Sequence, residues 1–399
     1  MAQLKLKAAI IGGVAVATLA AACSSSPPST GASSASTSSA GTGTQDPAAS
    51  SSAVSLAGIC PSTIVVQTDW YPEADDFIPY ELAGPNGTVN TGNKSYTAEL
   101  LASGQDTGVK IQVREGGPAI GNQLVPAEMY EDQSILLGFV ETDEGIELSS
   151  TQPTVAIVAD RQEAPTVIAW SPAQYPGVKT ISQLGKTSAT VLYYNGAPFM
   201  DYLTGAGILT AKQVDGSYNG TPAQFVAAGG KDALQGYATA EPYEYAHEIS
   251  QWDKPLTYQL VSDYGYDPYP ALATLPQNIT KYAACFKKLV PIIQQGIVDY
   301  AANPGPADAL ILKLVQEYNT GWEYNAGEAA YAAKTMVSDK IIANAPDGTV
   351  GAFDDSRISK LITLLQPIYA RDGKPIKAGL TPQDITTIQF LEPSIHLPG

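Results

Sequence analysis

Side chains able to do acid–base or covalent chemistry at neutral pH are scarce in this 399-residue chain. It has two histidines; His396 stands close to the end, and His247 falls in a helical stretch where a surface or core-edge role is the plain reading. No GxSxG, HExxH, paired CxxC or phosphate-loop pattern occurs. Three cysteines and two histidines do not assemble a zinc site. NAPDGTVGAFDD is acidic and glycine-rich, but its spacing is that of a turn and a helix cap, not an EF-hand loop. What the chain does have is 22 tyrosines and four tryptophans. Many bunch where apolar runs end: Trp70 and Tyr71, Trp170, Tyr193 and Tyr194, Tyr237 and Tyr243, and Tyr264, Tyr266 and Tyr269. Such rings suit the sandwiching of a planar or cationic solute. They suit packing one domain on another equally well, and for a single ring both readings stand. In VVQTDWYPEADDF (Val65 to Phe77) the aromatic pair meets Glu73, Asp75 and Asp76.

These residues need a scaffold that brings strand ends together. STIVVQTDW, VKIQVRE, SILLGFV and TVAIVAD read as buried strands, alternating with helical segments near residues 77–82, 119–128 and 143–149. The alternation predicts an α/β fold with a doubly wound, mostly parallel sheet. A second cycle follows WSPAQYPG: the strand ATVLYYNG, a helix opened by Pro198, a helix capped by Thr221 with Pro222 at its first position, and LQGYATAEPYEYAHE, a strand running into a helix. PLTYQLVSDYG carries the chain back, and ALATL is the last strand expected. Helices dominate thereafter. In SRISKLITLLQPIYA, Ile358, Leu361, Ile362 and Leu365 repeat at the spacing of one buried face, with Asp354 or Asp355 as N-cap. One α/β domain interrupted by another, with two crossovers as a hinge, is the simplest assembly. In such sheets ligands sit outside the carboxyl ends of the strands.

The formal charge of −17 argues against nucleic acid and anionic lipid as partners. Lys5 and Lys7 precede a short apolar stretch ending in LAAAC, Leu19 to Cys23. This resembles a bacterial lipoprotein signal, which implies removal of residues 1–22, lipid modification of Cys23 and placement on the outer face of the cytoplasmic membrane. An ordinary secretory signal with a stray cysteine is the alternative. Residues 23–58 are nearly all Ser, Ala, Thr, Gly and Pro, and read as a disordered tether with a root-mean-square reach of roughly 30–35 Å. Cys60 and Cys285 are then left as an even pair in an oxidising compartment. A disulfide is the expected state, two buried free thiols the alternative.

QTDWYPEADDFIPYELAG resembles the opening of the ABC-transporter solute-binding proteins of the thiamine-precursor and nitrate/sulfonate/taurine group. Asp69, Trp70 and Pro72 match that group's D-W-x-P segment, Tyr80 fits its later aromatic, and Asp76 stands where a histidine is usual. REGGPAIG, SYNGTPAQFVAAGGK and GYATAEPYEY are similar to lipoprotein members of the same group. The resemblance covers residues 60–398. It implies a type II periplasmic-binding-protein fold with lobe 1 at 59–167 and 264–399, lobe 2 at 168–263, and a two-crossing hinge. It further implies a monomeric receptor without catalysis or cofactor, which delivers a small-molecule ligand to an ABC permease and its ATPase. A pyrimidine-synthase-like enzyme and a structural surface lipoprotein are the rivals; the first would need a cysteine cluster that the chain lacks.

Family members stack a ring on aromatics of the first loop, which places Trp70 and Tyr71 in the site. Asp76 either stabilises a helix start or faces an amine, amidine or aminopyrimidine. Thr142, Asp143 and Glu144 follow a strand and belong at the same crevice. Tyr194 and Asn195 sit at a strand-to-helix turn whose free N–H groups suit a ligand acceptor. Glu241 either carries charge into the cleft or caps its helix. Arg114 could reach a ligand carboxylate, although pairing with the adjacent Glu115 is the simpler expectation.

Overall fold

The computed structural model describes residues 54–398. Cys23 and the signal lie outside the described residues. The strands are β1 (Thr63–Gln67), β2 (Thr88–Asn90), β3 (Ser95–Ala102), β4 (Gln105–Arg114), β5 (Ile135–Phe139), β6 (Val155–Ala159), β7 (Thr166–Trp170), β8 (Val191–Leu192), β9 (Val214–Asp215), β10 (Ala233–Tyr237), β11 (Thr257–Leu260) and β12 (Ala271–Thr274). They form two sheets, in the orders β2-β3-β4-β1-β5-β12-β6 and β11-β7-β10-β8-β9. The chain therefore passes from the first sheet to the second between β6 and β7, and returns between β11 and β12.

Both sheets are mixed, not mostly parallel. β1 runs parallel to β4 and β5, and β8 parallel to β9 and β10. The strands that receive a crossing, β7 and β12, are antiparallel to their neighbours. A chain leaving the end of one sheet directly for the other enters it head-on, so the returning strand has no room for the helical crossover that parallel pairing requires. The β3–β4 hairpin adds further antiparallel pairing at one edge.

The expected long helices form as Ala283–Ala302, Gly305–Tyr318 and Asp355–Arg371. In the last, Ile358, Leu361, Ile362 and Leu365 are buried and the Asp354 carboxylate accepts from the N–H groups of Ser356 and Arg357. The segment expected helical at 119–128 is instead a 3-10 turn, Gly117–Ile120, then a helix, Val125–Glu131. Left-handed Gly121 and Asn122 separate the two. Pro222, not Thr221, immediately precedes the helix Ala223–Ala227; the Thr221 hydroxyl donates to Asn219 at 2.8 Å. Arg114 pairs with Asp132 at 2.7 Å rather than with Glu115.

The folded part starts before the expected boundary at residue 58. Leu56 is fully buried and its N–H donates to the Thr107 carbonyl at 2.9 Å. An isolated leucine amid small polar residues has no periodicity to announce it. Just beyond, Cys60 and Cys285 form a disulfide that ties the start of the fold to the helix Ala283–Ala302.

Arg357 holds both crossings. Its guanidinium donates to the carbonyls of Gln162 (2.6 Å), in the outward crossing, and of Asp267 (2.8 Å) and Pro268 (2.9 Å), in the return crossing. It also pairs with the Asp267 carboxylate and lies 3.6 Å over the Tyr269 ring.

The disulfide closes a loop across a sequence separation of 225, which on the chain-entropy account contributes roughly 5 kcal/mol. Replacing both cysteines by serine should lower the unfolding free energy by about 2–5 kcal/mol. Urea titration of variant and parent checks this.

Candidate functional site

The carboxyl ends of β1, β5, β6 and β10 converge between the two sheets. The loop after β1 carries Asp69 to Asp76, and the REGG segment after β4 is the shelf that holds it. Gly116 N–H donates to the Trp70 carbonyl (3.0 Å) and Gly117 N–H to the Asp69 carbonyl (2.8 Å). The Thr68 hydroxyl donates to the Trp70 carbonyl (2.9 Å) and accepts from Gly116 N–H (3.2 Å). A Cβ on Gly116 would lie 2.2 Å from the Thr68 carbonyl oxygen, and one on Gly117 2.9 Å from the Trp70 indole, at φ +54. Only glycines let this loop settle so low.

The loop presents an aromatic wall. Trp70 is 38% exposed and meets Tyr71 edge-on (5.4 Å). Tyr71 stacks on Trp322 (4.9 Å, 8°), which comes from the turn between the helices Gly305–Tyr318 and Ala326–Ser338. In that turn the Tyr324 hydroxyl accepts from Ala74 N–H (3.1 Å). Trp322 and Tyr324 also line a recess of about 770 Å³ with Tyr243 and His247. A recess of about 1410 Å³ lies elsewhere, between the C-terminal segment and the turn before β6, and shares none of these residues.

Around the wall stand carboxylates from both halves. Asp75, in the first turn of the 3-10 helix, accepts from the Thr239 hydroxyl, just past β10, at 2.9 Å, and faces Arg161 at 3.5 Å. Thus the loop of the first sheet touches the second sheet directly. Glu73 precedes the 3-10 turn without a side-chain capping bond. Burial, then Asp75, Asp69 and Glu328, push its carboxyl well above the usual range, against the pull of Arg161. Asp76 is 1% exposed and its Oδ2 has no hydrogen-bond partner. Burial, then Asp69 and Glu73, push it well up.

Arg161 opens the outward crossing. It is 5% exposed, and its Nε donates to Asp160 at 3.0 Å. Asp160 Oδ1 nonetheless remains unpartnered. At the end of β10, Tyr237 is 41% exposed. Protein crowds it, and burial followed by Glu141, Asp69, Glu241 and Glu73 raises its hydroxyl well above the usual value. The Glu241 carboxylate accepts from Tyr237 N–H at 2.6 Å.

The residues expected from the sequence divide into two groups. Trp70, Tyr71 and Asp76 share the loop after β1, and Glu241 begins the helix after β10, within electrostatic reach of Asp75. Tyr80 is 2% exposed, in the core. Thr142 is buried and its hydroxyl accepts from Tyr269 N–H (2.8 Å), while Asp143 accepts from the Tyr266 hydroxyl (2.5 Å). Glu144 caps its own helix, accepting from Glu141 N–H. Tyr194 (42% exposed) and Asn195 sit at the end of β8, where Tyr194 leans on Tyr218 (5.3 Å). Sequence reasoning passed over Glu141, Asp160, Arg161, Thr239, Trp322 and Glu328. The D-R pair ending TVAIVAD was a usable signal, being charge placed directly at a strand terminus; nothing local announces Trp322 or Glu328.

No protein-family model and no curated protein matches the chain. Solved structures do resemble it. The periplasmic aliphatic sulphonate binding protein SsuA of Escherichia coli superposes at a TM-score of 0.53 with 15% identity, over 85% of this chain and 98% of that one. A periplasmic sulfonate-binding protein of Methylobacillus flagellatus gives 0.50 and 12%, over 82% and 92%. A protein of Bordetella bronchiseptica gives 0.50 and 14%, over 83% and 96%. The chain has the type II periplasmic-binding-protein fold: two α/β halves joined by two crossings.

The crowded carboxyls set a pH dependence. Burial and Asp143 push Glu141 up to about 8, burial and Glu244 push Glu241 up to about 8, and burial and Glu244 push Glu328 up to about 9. The unfolded chain releases these protons near 4.5, so between about pH 5 and 8 the folded state binds more protons than the unfolded one. Stability should therefore fall as pH rises through that window. The melting temperature should be lower at pH 8 than at pH 5.5, and Glu328→Gln should flatten part of the slope in a calorimetric pH series.

Proposed function

We propose that the protein is an extracytoplasmic solute-binding receptor of an ABC importer, which takes a small organic solute between its two sheets and passes it to a permease. One observation carries this reading: aromatic and carboxylate side chains from both halves meet at the strand ends between two crossings, where solutes bind in α/β folds of this kind. Trp70 and Tyr71, with Trp322, supply ring faces; Asp76 and Glu241 supply polar anchors. In this reading the halves are the lobes, and solute stabilises the form in which they close by its higher affinity for that form. Tyr194 and Asn195 would join from the rim, and Tyr80, Thr142, Asp143 and Glu144 support the floor. Lipid on Cys23 would hold the receptor beside its permease through the Ser/Ala/Thr-rich tether. No helix among the described residues is long and apolar enough to cross a membrane, which is compatible with such an anchor.

Mass spectrometry of the protein purified without denaturant should identify a bound solute, and that solute should raise the melting temperature of the stripped protein. Trp70→Ala should weaken its binding about tenfold or more, the equivalent of about 1.4 kcal/mol. Because the indole is more than one-third exposed, the same change should cost under about 1 kcal/mol of stability. An unchanged affinity in calorimetry removes Trp70 from the site, and absence of any stabilising solute overturns the receptor reading.

A further inference from the structure

The solute-binding reading leaves the charge of the solute open, and the residues between the halves bear on it directly. Asp69, Glu73, Asp75 and Asp76 come from a single loop of eight residues. Asp160, Glu141 and Glu241 approach from β6, β5 and β10. Among the described residues the guanidinium inside this group is Arg161, and it is already engaged by Asp160 and Asp75. Lys94 acts on Glu115, at the edge of the site, and its ammonium is held by the Tyr318 carbonyl. The carboxylates thus outnumber the cations available to them several-fold.

Acidic residues collected in a cleft are common on acidic proteins, and their number alone identifies nothing. The independent observation is Asp76. Its side chain is 1% exposed, its Oδ2 has no partner, and it lies close to Asp69 and Glu73, on the loop that also carries the exposed indole of Trp70. A buried acceptor left without a donor is destabilising, and more so when charged. It persists where something outside the chain completes it. Asp160 Oδ1, next to Arg161, and Glu328 Oε2 are in the same condition.

Two features describe what would complete them. Among the described residues no three His, Cys, Asp or Glu side chains stand together as a metal site would require. The carboxyl groups are spread over several strand ends rather than focused on a point, and so suit a cation of organic size whose charge would draw off their protons. The second feature is the wall of Trp70, Tyr71 and Trp322. Ring faces attract ammonium and guanidinium groups, most strongly where water is excluded. An anion placed here would hold the crowded carboxyls in the protonated form and gain no counter-charge, whereas a cation favours their ionised form. A neutral polyol could hydrogen-bond to the free oxygens but would leave the repulsion among the carboxylates unrelieved.

We propose that the solute held between the two halves is an organic cation, an ammonium or amidinium group joined to a ring or to methyl groups, seated on the Asp76–Glu73–Asp69 face against Trp70. The proposal rests on the receptor reading and narrows it. Asp76 faces the cationic centre, Trp70 and Trp322 cover its apolar part, and Glu241 supports it from the second sheet.

The test uses the mature protein, stripped of bound solute, with benzyltrimethylammonium and benzamidinium as cationic probes, benzenesulfonate as the anionic one and benzyl alcohol as the neutral one. Thermal shift and calorimetry should show binding of at least one cation, and binding of the sulfonate and the alcohol at least tenfold weaker. Asp76→Asn should weaken the cation at least tenfold, and Glu73→Gln, which keeps the shape of the loop, should weaken it in the same direction. Far-ultraviolet circular dichroism of each variant confirms folding. Equal or tighter binding of the sulfonate or the alcohol overturns the charge assignment and leaves the receptor reading intact. Cation binding untouched by both substitutions overturns the placement. If none of the four probes binds and no solute co-purifies, the receptor reading fails and the proposal fails with it.

Discussion

The arrangement of the whole molecule turns on one guanidinium. Arg161 is almost without solvent contact, at the point where the chain leaves the first sheet. A buried charge of this kind is tolerated only with close partners of opposite sign. Asp160 supplies one from the neighbouring position and Asp75 another from the loop after β1. Asp75 in turn reaches Thr239 on the second sheet. A first-sheet strand end, a crossing and a second-sheet strand end are thereby knotted within a few side chains. The remaining carboxylates lie around that knot, and the aromatic wall closes over one side. Remove the guanidinium and Asp160 and Asp75 lose the counter-charge that lets them remain buried.

The fold was largely written in local patterns. Strands β1, β5, β6 and β12 are short apolar runs, β-branched in β1 and β6, and the helix Asp355–Arg371 carries an unambiguous buried face. These features follow from neighbours within one or two turns of chain, which a sequence displays. The β3–β4 hairpin was half seen: its second strand reads as apolar, while the first, SYTAELLA, alternates too weakly to stand out. Strand β7 was passed over because TVIAW runs straight into the proline-rich WSPAQYPG. The cysteine pair was legible from arithmetic and compartment alone, and the bond is present.

The site was legible only where a single segment carried it. Trp70, Tyr71 and Asp76 share one loop, and the two glycines of REGG explain why that loop lies where it does. Asp75 shows the limit. Its place in a first helical turn accounts for it completely until Thr239, 164 residues away, is seen to be its partner. Trp322 reaches Tyr71 across an even longer stretch of chain. Contacts of that span depend on how two sheets are set against each other, and no periodicity encodes them. The likeness to sulfonate-binding proteins at 12–15% identity likewise speaks for the fold; what a cleft accepts is decided by the side chains in it.

Arg357 bears on how such a molecule could move. By gripping Gln162 and the Asp267–Pro268 pair at once, it fastens the roots of both connecting strands to the first half. Any swing of the second half would then fall on residues 163–165 and on Gly265, between Tyr264, held by Ser182 and Tyr202, and Tyr266, held by Asp143, as on two leaves of a spring clamped at one end. Two such leaves side by side yield readily in one direction and resist twist. The same grip would give the molecule a single preferred axis of opening, set by one side chain that touches neither the cleft nor its contents.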